Sequence, residues 1–543
     1  MKKRLAALTA AVLTTVMMLT GCQQGGASTD GQSPTIQRTH GSDEAVMYLG
    51  PLAEPEMGFD PTLGWANVDG VSIFHSNLVH LDQDMKIQPD LATSWELASD
   101  GITYSFTLHP EARFSDGSPI TGNDVKFTYE KSIERGYVGG IDTIESIEAP
   151  DDHTVVMRLK DPNSLFIYAV ARLGIIPESG YSDDYGSKPV GSGPYRLIQW
   201  DKGQQLIAEV NEHYFGQPPS LKKLTVLFLS EETALEFAKS GKLDLYSTPI
   251  IFSGEQVPNM RTLELSSADR LHISLPNTAP GETTREDGLP VGNAVTSDLA
   301  IRKALNVGIN RQEIVQGVLG DHGRPAFELV SEDMPWWNPE TAFTDSDTEK
   351  AQQILAEAGW QDTNGDGIVE KDSVPAEFDL LAAADNKTYQ ALAMVVAQQA
   401  KKFGININVS AKSWDEIDKL MYANPFVLLW GSRDPINVEF LYHSTKAGMG
   451  YHNTSYYSNE TVDQHIHDAL TVLDPQQAYE HWKKAQWDGS AGFTVKGDAS
   501  LLWAASPNHI YRFGAGLDVG RQELQSGSMG WALLHNITEW RWE

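Results

Sequence analysis

The sequence predicts an α/β protein built from more than one lobe. Three observations support this: the chain has 543 residues, strand-like and helix-like segments alternate along it, and 41% of its residues are apolar. A chain of this length exceeds the size at which a single hydrophobic core keeps growing. Strands that alternate with helices favour sheets covered by helices. We therefore expect two or three α/β lobes.

The first 21 residues are typical of an export signal. Residues 2–4 are basic, and the almost wholly apolar run 5–18 follows them. A membrane-spanning helix needs about 20 apolar residues, so this run is too short for one, and a charged start before a short apolar run is typical of a secretory signal. The segment LTGC (19–22) resembles the lipobox of bacterial lipoproteins, where the cysteine carries a lipid. Cys22 is the only cysteine of the chain; an ordinary signal with an unrelated cysteine is the alternative.

The composition after the signal limits the classes of partner. Residues 22–43 are rich in Gly, Ser, Thr and Gln and predict a flexible tether. Without residues 1–21 the chain keeps 38 basic and 73 acidic residues, a net charge of −35. A protein with this negative net charge is repelled by nucleic acid and by anionic membrane surfaces, so we expect no nucleic-acid partner. With Cys22 lipidated, no thiol remains for a disulfide.

The first half of the folded body is predicted to consist mainly of strands and turns. Residues 101–108 alternate apolar and polar side chains, residues 123–134 predict a helix that begins at an Asn/Asp cap, and residues 153–160 predict a strand. In KPVGSGPYRLIQW (188–200), a strand follows two glycines and a proline. These glycines predict a close crossing of two backbone segments, and a phosphate cradle is the alternative, although no P-loop motif is present.

The second half is predicted to alternate helices and strands. A short capped helix is predicted over 230–242, and a single helix with an apolar stripe is predicted over 298–319. The predicted elements that follow are a helix over 348–360 ended by Gly359, a helix over 390–404, a strand over 405–414 and an apolar strand over 426–430.

Enzyme signatures are incomplete in this sequence. SLKK (220–223) has the Ser-x-x-Lys spacing of penicillin-recognising enzymes, but their SDN and KTG elements are absent. Neither a GxSxG nucleophile elbow nor an HExxH metalloprotease motif occurs. We therefore expect a protein that is not an enzyme.

Two motifs resemble metal sites in part. DTNGDGIVE (362–370) begins like a calcium loop, but Ser373 stands at the twelfth position, where a bidentate Glu is needed. We expect a polar turn there. His465 and His467 lie two positions apart on a predicted helix, which places them on different faces, so a solvated helix surface is favoured.

A candidate binding loop follows the strand over 426–430. Ligand contacts in open α/β sheets lie where a strand runs into a polar, Gly-containing loop. Arg433 and Asp434 could clamp the carboxylate and the ammonium of an amino acid or peptide, and His443 and His452 could reach a soft metal. A charged loop with a local Arg–Asp pair is the alternative.

Several stretches in the expected order resemble the family 5 extracytoplasmic solute-binding proteins of ABC importers, the peptide- and nickel-binding group. The quoted stretches are PDLATSWELASDGITYSFTLHPEARFSDGSPITGNDVKFTYE (89–130), PVGSGPYRL (189–197), NEHYFGQPP (211–219), DLAIRKALNVGINR (298–311) and EKAQQILAEAGW (349–360). Within that family, EPEMGFDPTLGW (54–65) and WGSRDP (430–435) look most like the nickel-binding subgroup. That subgroup tends to have a histidine where Arg433 stands and a histidine-rich run where this chain has QSGSMGW (525–531).

The resemblance implies a two-lobed, periplasmic-binding-protein-like (class II-type) α/β fold with an extra subdomain in lobe I. The expected organisation is a signal peptide (1–21), a flexible tether (22–43), lobe I (44–85, 189–268 and 506–543), an inserted subdomain (86–188) and lobe II (269–505).

The implied function is capture of a small peptide or a nickel or other metal chelate, and its delivery to an ABC permease coupled to ATPase subunits. No resident cofactor is expected; nickel or a chelate would be cargo. We expect a monomer, held by its lipid on the extracytoplasmic face of the membrane. A peptide-sensing receptor and an exported hydrolase are the alternatives.

The residues expected to contact the ligand come from both lobes. Trp65 and His75 lie in lobe I, and Trp430, Arg433 and Asp434 lie in the loop of lobe II. His443 and His452 are the candidates for holding a metal or a chelate.

Overall fold

The computed structural model describes residues 41–66, 70–82, 85–431, 434–522 and 530–543. Cys22, Arg433 and the predicted signal therefore lie outside the described residues. Within the described ranges, no helix is both long enough and apolar enough to cross a membrane.

The elements are numbered in chain order. The first half contains β1 (Glu44–Tyr48), β2 (Val79–Leu81), β3 (Ile87–Pro89), β4 (Ala92–Leu97), β5 (Thr103–Leu108), α1 (Gly122–Arg135), β6 (Ile144–Asp151), β7 (Thr154–Leu159), α2 (Phe166–Val170), β8 (Tyr195–Asp201), β9 (Gln205–Val210), β10 (Lys223–Leu227), α3 (Glu231–Lys239), β11 (Leu245–Thr248) and β12 (Met260–Leu265). The second half contains β13 (Arg270–Ser274), α4 (Leu299–Gly308), α5 (Arg311–Leu319), β14 (Gly323–Pro325), α6 (Thr348–Glu357), β15 (Glu370–Lys371), β16 (Val374–Pro375), β17 (Glu377–Ala383), α7 (Lys387–Ala400), β18 (Asn406–Lys412), α8 (Trp414–Leu420), β19 (Phe426–Trp430), α9 (Ile436–Tyr442), α10 (Glu460–Thr471), α11 (Pro475–Gln486), β20 (Leu501–Pro507), β21 (His509–Gly514), β22 (Leu517–Asp518) and β23 (Arg541–Trp542). Short 3-10 helices cover Pro61–Leu63, Tyr185–Ser187, Ile250–Phe252, Pro339–Thr341, Lys401–Phe403, Ser444–Lys446 and Trp531–Glu539.

A seven-stranded sheet forms the core of the first lobe, in the order β12-β21-β11-β1-β10-β9-β8. Its central strand β1 pairs in parallel with β10 and β11. Successive side chains of a strand point to opposite faces of the sheet. Accordingly, Ala45 and Met47 join the larger core of this lobe, and Val46 and Tyr48 pack with α3 on the other face.

A four-stranded antiparallel sheet, β4-β5-β7-β6, forms a separate layer. Helix α1 covers it, and together they enclose their own hydrophobic core. Thr121 caps α1 in a capping box with Asp124, so the predicted Asn/Asp cap was wrong. The Thr121 hydroxyl satisfies an N–H of the first turn, and the Asp124 carboxylate accepts from the Thr121 N–H at 2.8 Å.

A six-stranded sheet forms the core of the second lobe, in the order β14-β20-β13-β19-β17-β18. Strand β17 pairs in parallel with β18 and β19. Side chains from α4, α5, α6 and α7 complete a single core with this sheet.

The chain passes between the two large sheets at residues 266–269 and again at Asn508, between β20 and β21. These crossings lie side by side because the Ser506 hydroxyl donates to the carbonyl oxygens of Ser267 at 3.0 Å and Asp269 at 2.8 Å. Two adjacent short connections are the usual structure of a hinge. The exact boundaries of the lobes and of the inserted subdomain stay predictions.

The crossing predicted at Gly191 and Gly193 is confirmed. A Cβ atom added to Gly191 would lie 2.0 Å from the Phe74 carbonyl oxygen, and one on Gly193 would lie 2.6 Å from the Phe74 carbonyl carbon. The segments cross so closely that only glycine fits at either position.

The segment 298–319 forms two helices, not the single helix predicted. Ile309 leaves the helical conformation, and the Asn310 side chain accepts from the Glu313 N–H at 3.0 Å to begin α5. Asn followed three residues later by Glu is a local start signal. This start signal begins a second helix at Asn310, although the apolar stripe continues through the whole segment.

Candidate functional site

The loop after β19 carries the residues that the sequence singled out. Strand β19 lies between β13 and β17 in the six-stranded sheet. Phe426 and Val427 are buried within it, whereas Trp430, its last residue, is only half-buried. The strand thus ends with an aromatic side chain that is partly open to solvent.

Asp434 forms an ion pair between the second lobe and the layer of the four-stranded sheet. Its carboxylate pairs with the guanidinium of Arg172, and its other oxygen accepts from the Ile436 N–H at 2.9 Å at the start of α9. The Asp434 side chain is fully buried and that of Arg172 is 16% exposed. Asp434 therefore joins two layers of the molecule.

The backbone around Arg172 is held from the first lobe. The Asn77 side chain donates to the carbonyl oxygens of Ala171 at 2.7 Å and Gly70 at 2.9 Å. Leu173, on the other side of Arg172, is fully buried in the core of the four-stranded sheet. These contacts place the guanidinium at the loop after β19.

The sequence interpretation missed Arg172. It lies 262 residues from Asp434, and nothing in its local pattern distinguishes it from a solvated arginine. Tertiary packing alone brings the two charges together.

An aromatic group lies next to Trp430. The His452 ring stacks on Phe440 with centroids 4.2 Å apart, and the Trp430 ring approaches His452 nearly at a right angle at 5.9 Å. Burial lowers the pKa of His452, and the nearby Lys446 cation lowers it further. A neutral imidazole at this place adds to an aromatic wall.

His443 lies at the end of α9 and caps the next turn. Its Nδ1 atom accepts from the Thr445 N–H at 3.2 Å and lies 3.8 Å from Asp463 Oδ1. Neither His443 nor His452 belongs to the groups of metal-ligating atoms that occur among the described residues. Their role toward a metal stays a prediction.

Trp65 and His75 meet through one hydroxyl in the first lobe. The Trp65 indole N–H donates to Ser72 Oγ at 3.2 Å, and the same oxygen lies 3.2 Å from His75 Nδ1. Trp65 is packed edge-on against Phe59 and Trp531. Trp65 and His75 are therefore linked through Ser72 in the first lobe. A ligand contact for either residue stays a prediction.

His75 also borders a cavity of about 360 Å³. Its Nε2 atom lies 2.9 Å from the Tyr185 hydroxyl, which donates to the Val190 carbonyl oxygen. Burial lowers the pKa of His75 to about 4. The imidazole is therefore neutral at physiological pH.

Two groups of described residues could hold a metal ion. Asp362, Asp366 and Glu370 lie in the turn over 362–370, with carboxylate oxygens within 4.8 Å of one another. The sequence interpretation weighed Ser373 as the last ligand and overlooked Glu370. The other group, His465, Asp468 and His481, lies on the hairpin of α10 and α11.

Comparison with known proteins establishes the family. Residues 86–448 match the profile of the bacterial extracellular solute-binding proteins, family 5 Middle. The chain is 32% identical to protein XP55 of Streptomyces lividans over 474 residues, covering 83% of this chain and 84% of that protein. It is 25% identical to the oligopeptide-binding protein AppA of Bacillus subtilis over 516 residues, covering 89% of this chain and 91% of AppA.

The fold is shared with a solved nickel-binding relative. NikZ from Campylobacter jejuni in complex with Ni(L-His) superposes with a TM-score of 0.75 at 23% identity, over 92% of this chain and all of NikZ. The predicted two-lobed periplasmic-binding-protein fold is thereby confirmed. The chain belongs to family 5 of the bacterial extracellular solute-binding proteins, and its function is solute binding for ABC import.

Proposed function

We propose that the protein captures a short peptide between its two lobes and delivers it, without chemical change, to an ABC permease whose ATPase subunits drive import. The observation that carries this proposal is the position of Trp430 and Asp434. Trp430 ends a central strand, and Asp434 lies in the loop that follows it and pairs with Arg172 of the other layer. Ligands of open α/β folds bind at such strand ends.

The two adjacent crossings support capture by hinge closure. Ser506 ties them together through Ser267 and Asp269, so rotation between the lobes would be confined to a few residues. Each lobe has a hydrophobic core of its own. Lobes of this kind can move as rigid bodies around a ligand.

The chemistry of the described loop residues favours a peptide over a nickel chelate. Peptides offer apolar side chains, and the described residues offer the aromatic wall of Trp430, Phe440 and His452 to contact them. Asp434 is fully buried and paired with Arg172, so its carboxylate is not an open ligand for a metal. His452 stacks on Phe440 and His443 caps a turn, so both imidazoles already make contacts within the protein. AppA, a relative over most of both chains, binds oligopeptides.

Isothermal titration calorimetry tests the cargo. Purified protein is titrated with peptides of two to nine residues and, separately, with Ni²⁺–L-histidine. We expect saturable heat with peptides and a loss of peptide affinity in Trp430→Ala. Met394→Ala, which shortens an apolar side chain 60% exposed on α7, is the control. Binding of the nickel complex alone would refute peptide cargo.

Small-angle X-ray scattering tests the mechanism separately. A cargo that closes the hinge lowers the radius of gyration, whereas a ligand that binds one lobe leaves it unchanged. We expect a decrease with the bound peptide and a mass that corresponds to one chain.

We also propose that Cys22 carries a lipid and holds the protein on the extracytoplasmic face of the cell membrane. The apolar run and the LTGC segment support this proposal. In the native host, Cys22→Ser is expected to shift the protein from the membrane fraction to the medium or the periplasm. An unchanged membrane fraction would contradict it.

A further inference from the structure

The hairpin of α10 and α11 carries a group of side chains that solute capture does not use. The two helices pack through apolar residues that include Ile466, Ala469 and Trp482. His465 and Asp468 lie three positions apart on α10, which places them on the same face, and His481 lies on α11. One potential ligand atom from each of the three residues lies within 4.8 Å of the other two.

The two imidazoles have unsatisfied nitrogen atoms at this place. The Nδ1 atoms of His465 and His481 are both buried, and neither has a hydrogen-bond partner among the described residues. Asp468 Oδ2 lies 3.5 Å from His481 Nδ1, and Asp468 Oδ1 accepts from the Gln464 side chain at 2.8 Å. Buried polar atoms without a partner are uncommon and call for an explanation.

The Asp488 carboxylate orients the imidazole of His465 through its Nε2 atom. His465 Nε2 lies 3.2 Å from Asp488 Oδ2, while Asp488 Oδ1 accepts from the N–H groups of Ser490 and Ala491, both at 2.8 Å. A carboxylate held in this way can accept from an Nε2–H group of His465, and the lone pair of that imidazole then lies on Nδ1.

We propose that His465, Asp468 and His481 bind one divalent first-row transition-metal ion, best matched by Zn²⁺, with water completing its coordination. Two imidazoles and one carboxylate suit this class of ion and do not suit Mg²⁺ or Ca²⁺. Asp488 would act as the outer carboxylate that metal-binding histidines commonly have.

The ion would strengthen a contact between the lobes. It joins α10 to α11, and the end of α10 receives two hydrogen bonds from Ser164 near the four-stranded sheet: its hydroxyl donates to Ala469 at 2.8 Å and its N–H donates to Leu470 at 2.6 Å. The site does not involve the loop after β19. It can therefore hold an ion whatever the cargo is.

Metal titration of the tag-free protein tests this proposal. After treatment with EDTA, the protein is titrated with Co²⁺, followed by its d–d absorption, and the cobalt is then displaced with Zn²⁺. We expect one equivalent per chain, with binding abolished in His481→Asn and weakened about 10- to 100-fold in Asp488→Asn. Circular dichroism of the metal-free variants verifies that they are folded.

Two controls separate this site from others. His467→Asn changes an exposed histidine of the same helix and should leave the cobalt spectrum unchanged. The double variant His443→Asn/His452→Asn alters the residues considered for a metal cargo and should also bind normally. The proposal is overturned if wild-type protein gives no cobalt spectrum, or if folded His481→Asn and His465→Asn give the wild-type spectrum and stoichiometry.

Discussion

Protonation of His75 is expected to destabilise the folded protein in mild acid. Its imidazole is only 3% exposed and lies between Ser72 and the Tyr185 hydroxyl. Burial lowers its pKa from the usual 6.5 to about 4. Below pH 6.5 the unfolded chain therefore takes up a proton that the folded protein does not, and folding free energy is lost until the pH reaches about 4.

The size of the effect follows from this difference in pKa. One proton of difference between the two states changes the free energy of unfolding by about 1.4 kcal/mol per pH unit. Between pH 7 and pH 5 the loss attributable to His75 is about 2 kcal/mol. His272 in the second lobe, whose pKa burial lowers to about 3, adds a separate loss over the same range.

Urea unfolding at several pH values, followed by circular dichroism and tryptophan fluorescence, measures this loss. The His75→Gln variant should show a shallower decline in stability between pH 7 and pH 5, by about 2 kcal/mol. His467→Gln, at an exposed position, should keep the wild-type decline. An equal decline in His75→Gln, or a His75 NMR titration centred near pH 6.5, would refute the reasoning.

Three further predictions concern burial and backbone geometry. Burial raises the pKa of Glu328 to about 8, so the free energy of unfolding decreases as the pH rises from about 4.5 to 8, by about 3 kcal/mol at pH 7. Glu328→Gln should remove this decrease, which urea unfolding at pH 5 and pH 8 measures. Gly191→Ala should lower the melting temperature sharply, since its Cβ would overlap the Phe74 carbonyl, whereas Gly254→Ala, with open space around it, should not. Gly317→Ala in α5, also in open space, should stabilise the protein by up to about 1 kcal/mol in the same melting assay; a lower melting temperature would contradict this.

Local sequence patterns predicted most elements of the fold. The alternation of apolar and polar side chains predicted β5, a strand was also predicted over the residues of β7, and the apolar run over 426–430 coincides with β19. The residues that form these patterns are close together in the chain, so the patterns can be recognised without knowledge of the tertiary structure. The start of α5 was missed because the apolar stripe of 298–319 was given more weight than the Asn310 cap.

The candidate site was less accessible to sequence reasoning. The pattern at 430–435 drew attention to Asp434, but its ion-pair partner Arg172 carries no local signal. Likewise, His465 was compared with His467, its neighbour in sequence, whereas the structure brings it to His481 on another helix. Pairs of this kind depend on which helices and layers pack together.

By itself the sequence determined the α/β class and the positions of most strands and helices, because periodicity, caps and glycine crossings are properties of short segments. The family followed from the resemblance of several stretches to its members. Only the tertiary structure decided which charges and imidazoles meet. Arg172 and Asp434 are joined across 262 residues, and the hairpin of α10 and α11 assembles three potential metal ligands. The physical reason is that burial and close approach, which set pKa values and unsatisfied polar atoms, arise when segments distant in the chain pack against one another.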